Sequence, residues 1–199
     1  MGQKKRDGYM KSENVIWVAA IALVIGFVGG VAFGIYKSGT VVTSPGTEAA
    51  AQNVERQQAI DELIARTQQN PDDLAAWTQL GHLYFDSERS ADAIKAYEKA
   101  LALNPENADL WTDLGVMYRR DGAPRKAIEA FDRAINLDPN HQIARFDKGI
   151  VLFYDLHDEK GALAAWESLL AINPAAKAPG GQTVQSLVDH IKNSHKDEK

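Results

Sequence analysis

The sequence predicts an all-α chain: one transmembrane helix, then a helix–turn–helix solenoid of three units closed by capping helices. Three observations predict it. Residues 15–36 carry no charge, the segment beyond residue 70 repeats every 34 residues, and each repeat places its apolar residues at helical spacing. At 199 residues and 45% hydrophobic content, there is chain enough for a cored domain plus an appendage. The absence of cysteine excludes disulfides, thiolate metal sites, a cysteine nucleophile and N-terminal cysteine acylation.

Residues 1–14 read as a cytoplasmic tail bearing Lys4, Lys5, Arg6 and Lys11. The transmembrane helix follows at residues 15–36, VIWVAAIALVIGFVGGVAFGIY. As a helix this stretch is about 33 Å long, against about 30 Å of hydrocarbon core. A cleaved secretory signal would be shorter and end in small residues, whereas this one ends on Phe33 and Tyr36. After Lys37 the next basic residue is Arg56, so the positive-inside rule keeps the N-terminus cytoplasmic and exports the rest. In a bacterial cell that means a single-pass inner-membrane protein with its repeats in the periplasm. Gly26, Gly30 and Gly34 fall on one helix face, which fits close packing of two spans into a homodimer; glycine is also simply common in membrane helices. Residues 37–52, rich in Ser, Gly, Thr and Pro, read as a linker.

Beyond it the chain aligns with itself. Trp77 recurs as Trp111, Leu80 as Leu114, Gly81 as Gly115 and Gly149, Tyr84 as Tyr118, Ala93 as Ala127, Tyr97 as Phe131 and Ala100 as Ala134, while Pro71, Pro105 and Pro139 close successive units. Trp77, Leu80, Gly81 and Tyr84 share one face of a first helix; Ala93, Tyr97 and Ala100 share one face of a second. Gly81 and Ala100 lack bulk, so two antiparallel helices can approach closely. Pro105 stops the second helix, since proline cannot continue its hydrogen-bond ladder. No unit buries its apolar face alone, so neighbours must stack.

This pattern resembles the tetratricopeptide repeat (TPR) family, and residues 74–107 and 108–141 match all eight of its signature positions. The third unit, residues 142–176, departs: Arg145 and Lys148 stand where Trp and Leu belong, and Ala162, Trp166 and Pro174 arrive one residue late, which places an insertion in the turn YDLHDEKG. The reading is completed by an N-terminal capping helix at 53–73, a C-terminal capping helix at 177–193 with Val184, Leu187, Val188 and Ile191 facing inward, and a tail at 194–199.

The TPR resemblance implies a concave groove lined by first helices that holds a protein or peptide client. Carried over by position, the groove residues are Thr78, His82 and Phe85; Asp109, Thr112, Val116 and Arg119; and Ile143, Phe146, Ile150 and Phe153. For the last four the alternative is packing under the C-terminal helix. Receptors for chaperone tails hold a terminal carboxylate with cations; here those positions read Thr78, His82, Asp113, Ile143 and Asp147, whose two carboxylates would repel such a ligand and argue against that mode.

Residues 53–199 hold 17 Lys and Arg against 24 Asp and Glu, a formal charge of −7, so nucleic acid is not a partner. The five histidines are dispersed, without metal-ligand spacing, and neither a nucleophile elbow nor a phosphate loop occurs. Catalytic, cofactor and metal sites are therefore not expected. The layout further resembles the TPR subunits of bacterial c-type cytochrome maturation, through the anchor, the exported repeats and the late unit GALAAWESLLAINP. That resemblance implies client presentation to a haem lyase; the alternative is an ancillary factor of the secretion translocon or of envelope-complex assembly.

Overall fold

The computed structural model describes residues 45–194. The stretch 15–36, its glycines Gly26, Gly30 and Gly34, and the two tails 1–14 and 195–199 lie outside the described residues. Among the described residues no helix is long and apolar enough to cross a membrane. The chain divides into two compact units, Met1–Asn53 and Val54–Lys199, and the second carries the repeats.

Eight α-helices run in order among the described residues: α1 (Pro45–Gln69), α2 (Leu74–Asp86), α3 (Ser90–Leu103), α4 (Ala108–Arg120), α5 (Pro124–Leu137), α6 (Gln142–Ile150), α7 (Glu159–Ile172) and α8 (Val184–Ser194). A π-helical turn, Val151–Asp155, extends α6. The stretch read as a linker is helical from Pro45 on. Proline suits a first helical turn, and the alanine run at 49–51 is the strongest helix former available, so local propensity overrides the Ser/Gly/Thr character upstream. From Val54 onward α1 contributes Ile60, fully buried against Leu80 and Tyr84, with Leu63 and Ile64 beside it.

Three register-locked devices build each unit. First helices begin on side-chain caps 34 residues apart: Asp73 accepts from the Ala76 N–H at 3.0 Å, Asn107 from Leu110 at 3.0 Å, and His141 Nδ1 from Ala144 at 3.2 Å. Each satisfies an N–H that the helix cannot, worth about 1 kcal/mol. The turns then pass through a left-handed residue, Glu88 (φ 57°), Gly122 (φ 76°) or His157 (φ 54°). Second helices end at Asn104, Asp138 and Asn173, whose side chains accept from the backbone N–H two residues on, across a proline.

The two helices of a unit meet at a glycine. A Cβ on Gly115 would lie 2.6 Å from Phe131 Cε1; Gly81 stands against the Tyr97 ring in the same way, and Gly149 against Trp166. Those three rings are the largest fully buried side chains, each adding about 1.5–3 kcal/mol of transfer free energy. The helix-pair solenoid expected from the period is thus the observed architecture.

The third unit shows how its departures are accommodated. Trp77 and Trp111 donate their indole N–H to the carbonyl six residues back, at Pro71 and Pro105, both at 2.8 Å. Arg145 does the same to Pro139 at 2.5 Å, so the guanidinium replaces the indole as donor. Lys148, in the leucine position, reaches Asp132 at 2.5 Å. The inserted residue is taken up by the π-helical turn, where Leu156 N–H bonds back five residues to Val151. Finally α8 buries Val184, Val188 and Ile191 against Leu152, Trp166 and Leu169.

Candidate functional site

Consecutive first helices are joined side by side along one face by polar contacts. His82 Nε2 of α2 lies 3.3 Å from Asp113 Oδ2 of α4. Arg120 of α4 lies over the Phe85 ring of α2, 4.6 Å from its centroid. His141, at the start of α6, reaches back to Asp109 of α4 at 3.0 Å. Because its Nδ1 accepts from Ala144, the proton sits on Nε2 and is donated to Asp109. Arg119 Nε donates to Asp155 of the π-helical turn at 2.5 Å. The result is a continuous surface made by α2, α4 and α6, with a cleft at each end. One cleft, of about 470 Å³, is lined by Leu63, Arg66, Gln79, His82 and Leu83. The other, of about 560 Å³, is lined by Ile143, Phe146, Asp147, Leu169, Ala176 and Lys177.

The residues expected in the groove take different places. His82, Asp109 and Arg119 are exposed and engaged in the pairs just described, Thr78 is half-buried, and Phe85 lies half-buried under Arg120. Thr112 is buried; its hydroxyl donates to the Ala108 carbonyl at 2.9 Å and stands 3.4 Å from His141, so it serves the junction of two units. Val116 is half-buried against Leu114 and Phe131 neighbours in the core. Phe146, Ile150 and Phe153 are half-buried in the cluster that holds Trp166 and the apolar face of α8, with Phe146 and Phe153 ring centroids 6.4 and 5.9 Å from Trp166. Phe146 at the same time lines the second cleft. Ile143, by contrast, is 63% exposed.

Electrostatics add two carboxylates. Burial raises the Asp113 carboxyl, and His82 beside it pulls in the opposite direction. Burial pushes Asp147 up to about 6, against the pull of Arg119 and His141. Both residues occupy positions that the sequence already placed in the groove. What sequence spacing could not show is their burial, or that Asp155 and His141 would occupy the neighbouring cations and acids. Among the described residues no group of three or more metal-ligating side chains converges. The arrangement offers shape, apolar contact and negative charge.

A family model described as the tetratricopeptide repeat matches residues 78–142. That segment is made of tetratricopeptide repeats. Solved structures share the fold over more of the chain. A crystal structure of MamA is 23% identical, covering 68% of this chain and 78% of that one with a TM-score of 0.59. MamA 41-end from Desulfovibrio magneticus RS-1 is 22% identical over 65% and 73%, with a TM-score of 0.58. The first TPR of Spaghetti (RPAP3), bound to the HSP90 peptide SRMEEVD, is 20% identical over 62% and 93%, with a TM-score of 0.55. At this level of identity the likeness is one of fold. No curated protein matches the chain.

Proposed function

We propose that the protein is a membrane-tethered adaptor whose first-helix surface holds a segment of another polypeptide on the exported side of the membrane. One observation carries the binding part: α2, α4 and α6 form a continuous face ending in an apolar cleft, at whose mouth Ile143 stands 63% exposed. A large aliphatic side chain left in water beside a concave surface is what a partner would cover. The TPR of RPAP3 holds a peptide, and this chain shares that fold. Its client differs in chemistry, because Asp113 and Asp147 stand where a carboxylate-binding site needs cations. The tether rests on the uncharged residues 15–36 and on the basic residues ahead of them.

Within this reading the client is an apocytochrome c segment awaiting haem attachment. The order of anchor, exported repeats and late third unit supports it, and a cysteine-free chain cannot cross-link to a client that carries CxxCH. The test is fluorescence anisotropy of the full-length chain with C-terminal apocytochrome peptides, alongside cytochrome content in a deletion strain. Saturable binding that Ile143→Glu abolishes, together with loss of c-type cytochromes, is the expected result. No affinity, with normal cytochromes in the deletion strain, would end this version.

A further inference from the structure

Asp147 is the residue on this surface whose presence the fold does not explain. Three other aspartates here have partners: Asp109 pairs with His141, Asp113 with His82, and Asp155 with Arg119. The Asp147 carboxylate takes part in no hydrogen bond and no ion pair among the described residues, although it lines a cleft of about 560 Å³ with Ile143, Phe146, Leu169 and Ala176. Taking a carboxylate out of water against apolar walls without a partner is unfavourable. Two charged groups act on it without bonding to it. Arg119, on α4, gives its Nε to Asp155; His141, at the cap of α6, uses Nε2 on Asp109 and Nδ1 on the Ala144 N–H. Lys177, which lines the same cleft, is exposed and makes no ion pair among the described residues.

Building on the peptide-holding reading, we propose that this cleft receives a lysine or arginine side chain of the bound polypeptide, its aliphatic stem against Ile143, Phe146 and Leu169 and its cationic head on the Asp147 carboxylate. Charge complementarity selects this occupant. A purely apolar side chain would bury the carboxylate further without pairing it, and an acidic one would face a like charge. Lysine and arginine carry an apolar stem of the needed kind and end in donors, and a charge-assisted hydrogen bond is about twice as strong as a neutral one. Because the Asp147 carboxyl is pushed up to about 6 by burial, the preference should fade as pH falls through that value.

The experiment measures binding of the full-length chain to a library of N-acetylated, C-amidated decapeptides. Each sequence carries at one fixed position lysine, arginine, citrulline, norleucine or glutamate. The expected result is that lysine and arginine members bind roughly tenfold tighter than their citrulline and norleucine counterparts. Asp147→Asn should remove that advantage and leave citrulline binding unchanged, and Lys177→Ala should keep it. Norleucine binding as tightly as lysine, or Asp147→Asn retaining the cation preference, would overturn the inference while leaving the groove reading intact. If no library member binds, both fall.

Discussion

The close approach of paired helices at Gly115 can be tested by a single methyl group. Gly115→Ala has two opposed consequences. Alanine is intrinsically better than glycine inside a helix by about 1 kcal/mol. The added Cβ, however, would stand 2.6, 2.8 and 2.9 Å from Cε1, Cδ1 and Cζ of Phe131. Carbon atoms in contact sit about 3.5–4.0 Å apart, so ring and helix must separate by roughly 1 Å. Phe131 is fully buried between Ala127, Ala134, Ala144 and Val151 and has nowhere to go. Overpacking of this kind costs about 1–3 kcal/mol, leaving a net loss of up to about 2 kcal/mol. Removing the obstacle should invert the sign. In a Phe131→Leu background, Gly115→Ala should become neutral or stabilising by up to about 1 kcal/mol. Urea unfolding of all four proteins, followed by far-UV circular dichroism, supplies the cycle. A stabilising Gly115→Ala in the native background, or an effect that Phe131→Leu leaves untouched, would refute the packing argument.

Other perturbations address caps, turns and charge. Asn107→Ala removes the side-chain acceptor for the Leu110 N–H, and unfolding should show a loss of about 1 kcal/mol. Glu88 holds a left-handed φ of 57°, so Glu88→Gly should stabilise by up to about 1 kcal/mol despite glycine's greater freedom when unfolded. For Asp147 the native carboxyl titrates near about 6, against an ordinary 3.8. Well below pH 3.8 both states are neutral and there is no penalty. Between the two values only the unfolded chain ionises, so native stability falls; above about pH 6 the loss is complete, at up to about 3 kcal/mol. Asp147→Asn should therefore stabilise the protein at about pH 7.5 and change little at about pH 4. A gain equal at both pH values would show that the buried charge is not its source.

Most of the repeat architecture is legible in the sequence because it rests on residues whose size or backbone decides the geometry. Gly81, Gly115 and Gly149 mark where the rings of Tyr97, Phe131 and Trp166 cross, and the prolines mark the second-helix ends. The period also carries the caps Asp73, Asn107 and His141, but three different side chains perform one task, so residue type hides them. Arg145 reads as a defect; only its bond to the Pro139 carbonyl shows that a guanidinium can stand in for an indole N–H. The extra residue of the third unit is visible as a late Ala162, while its absorption by a π-helical turn depends on hydrogen bonds that no spacing encodes. In the groove, spacing identifies which residues lie on first helices. It cannot tell that Thr112 is spent on a junction or that Phe146, Ile150 and Phe153 are half-covered by α8 neighbours, since both depend on residues more than two dozen positions away. Asp147 is the extreme case, because its lack of a bonded partner among the described residues shows only once the contacts of Arg119 and His141 are known.

The claim that the first-helix surface grips another polypeptide is tested most directly by photo-crosslinking in the protein's own cells. A photoreactive residue is placed either at Ile143, 63% exposed at the mouth of the cleft, or at Leu137, 42% exposed on the second helix α5. A discrete adduct from position 143 that is absent from position 137 is the predicted outcome. Adducts of equal yield from both positions, or from 137 alone, would contradict it.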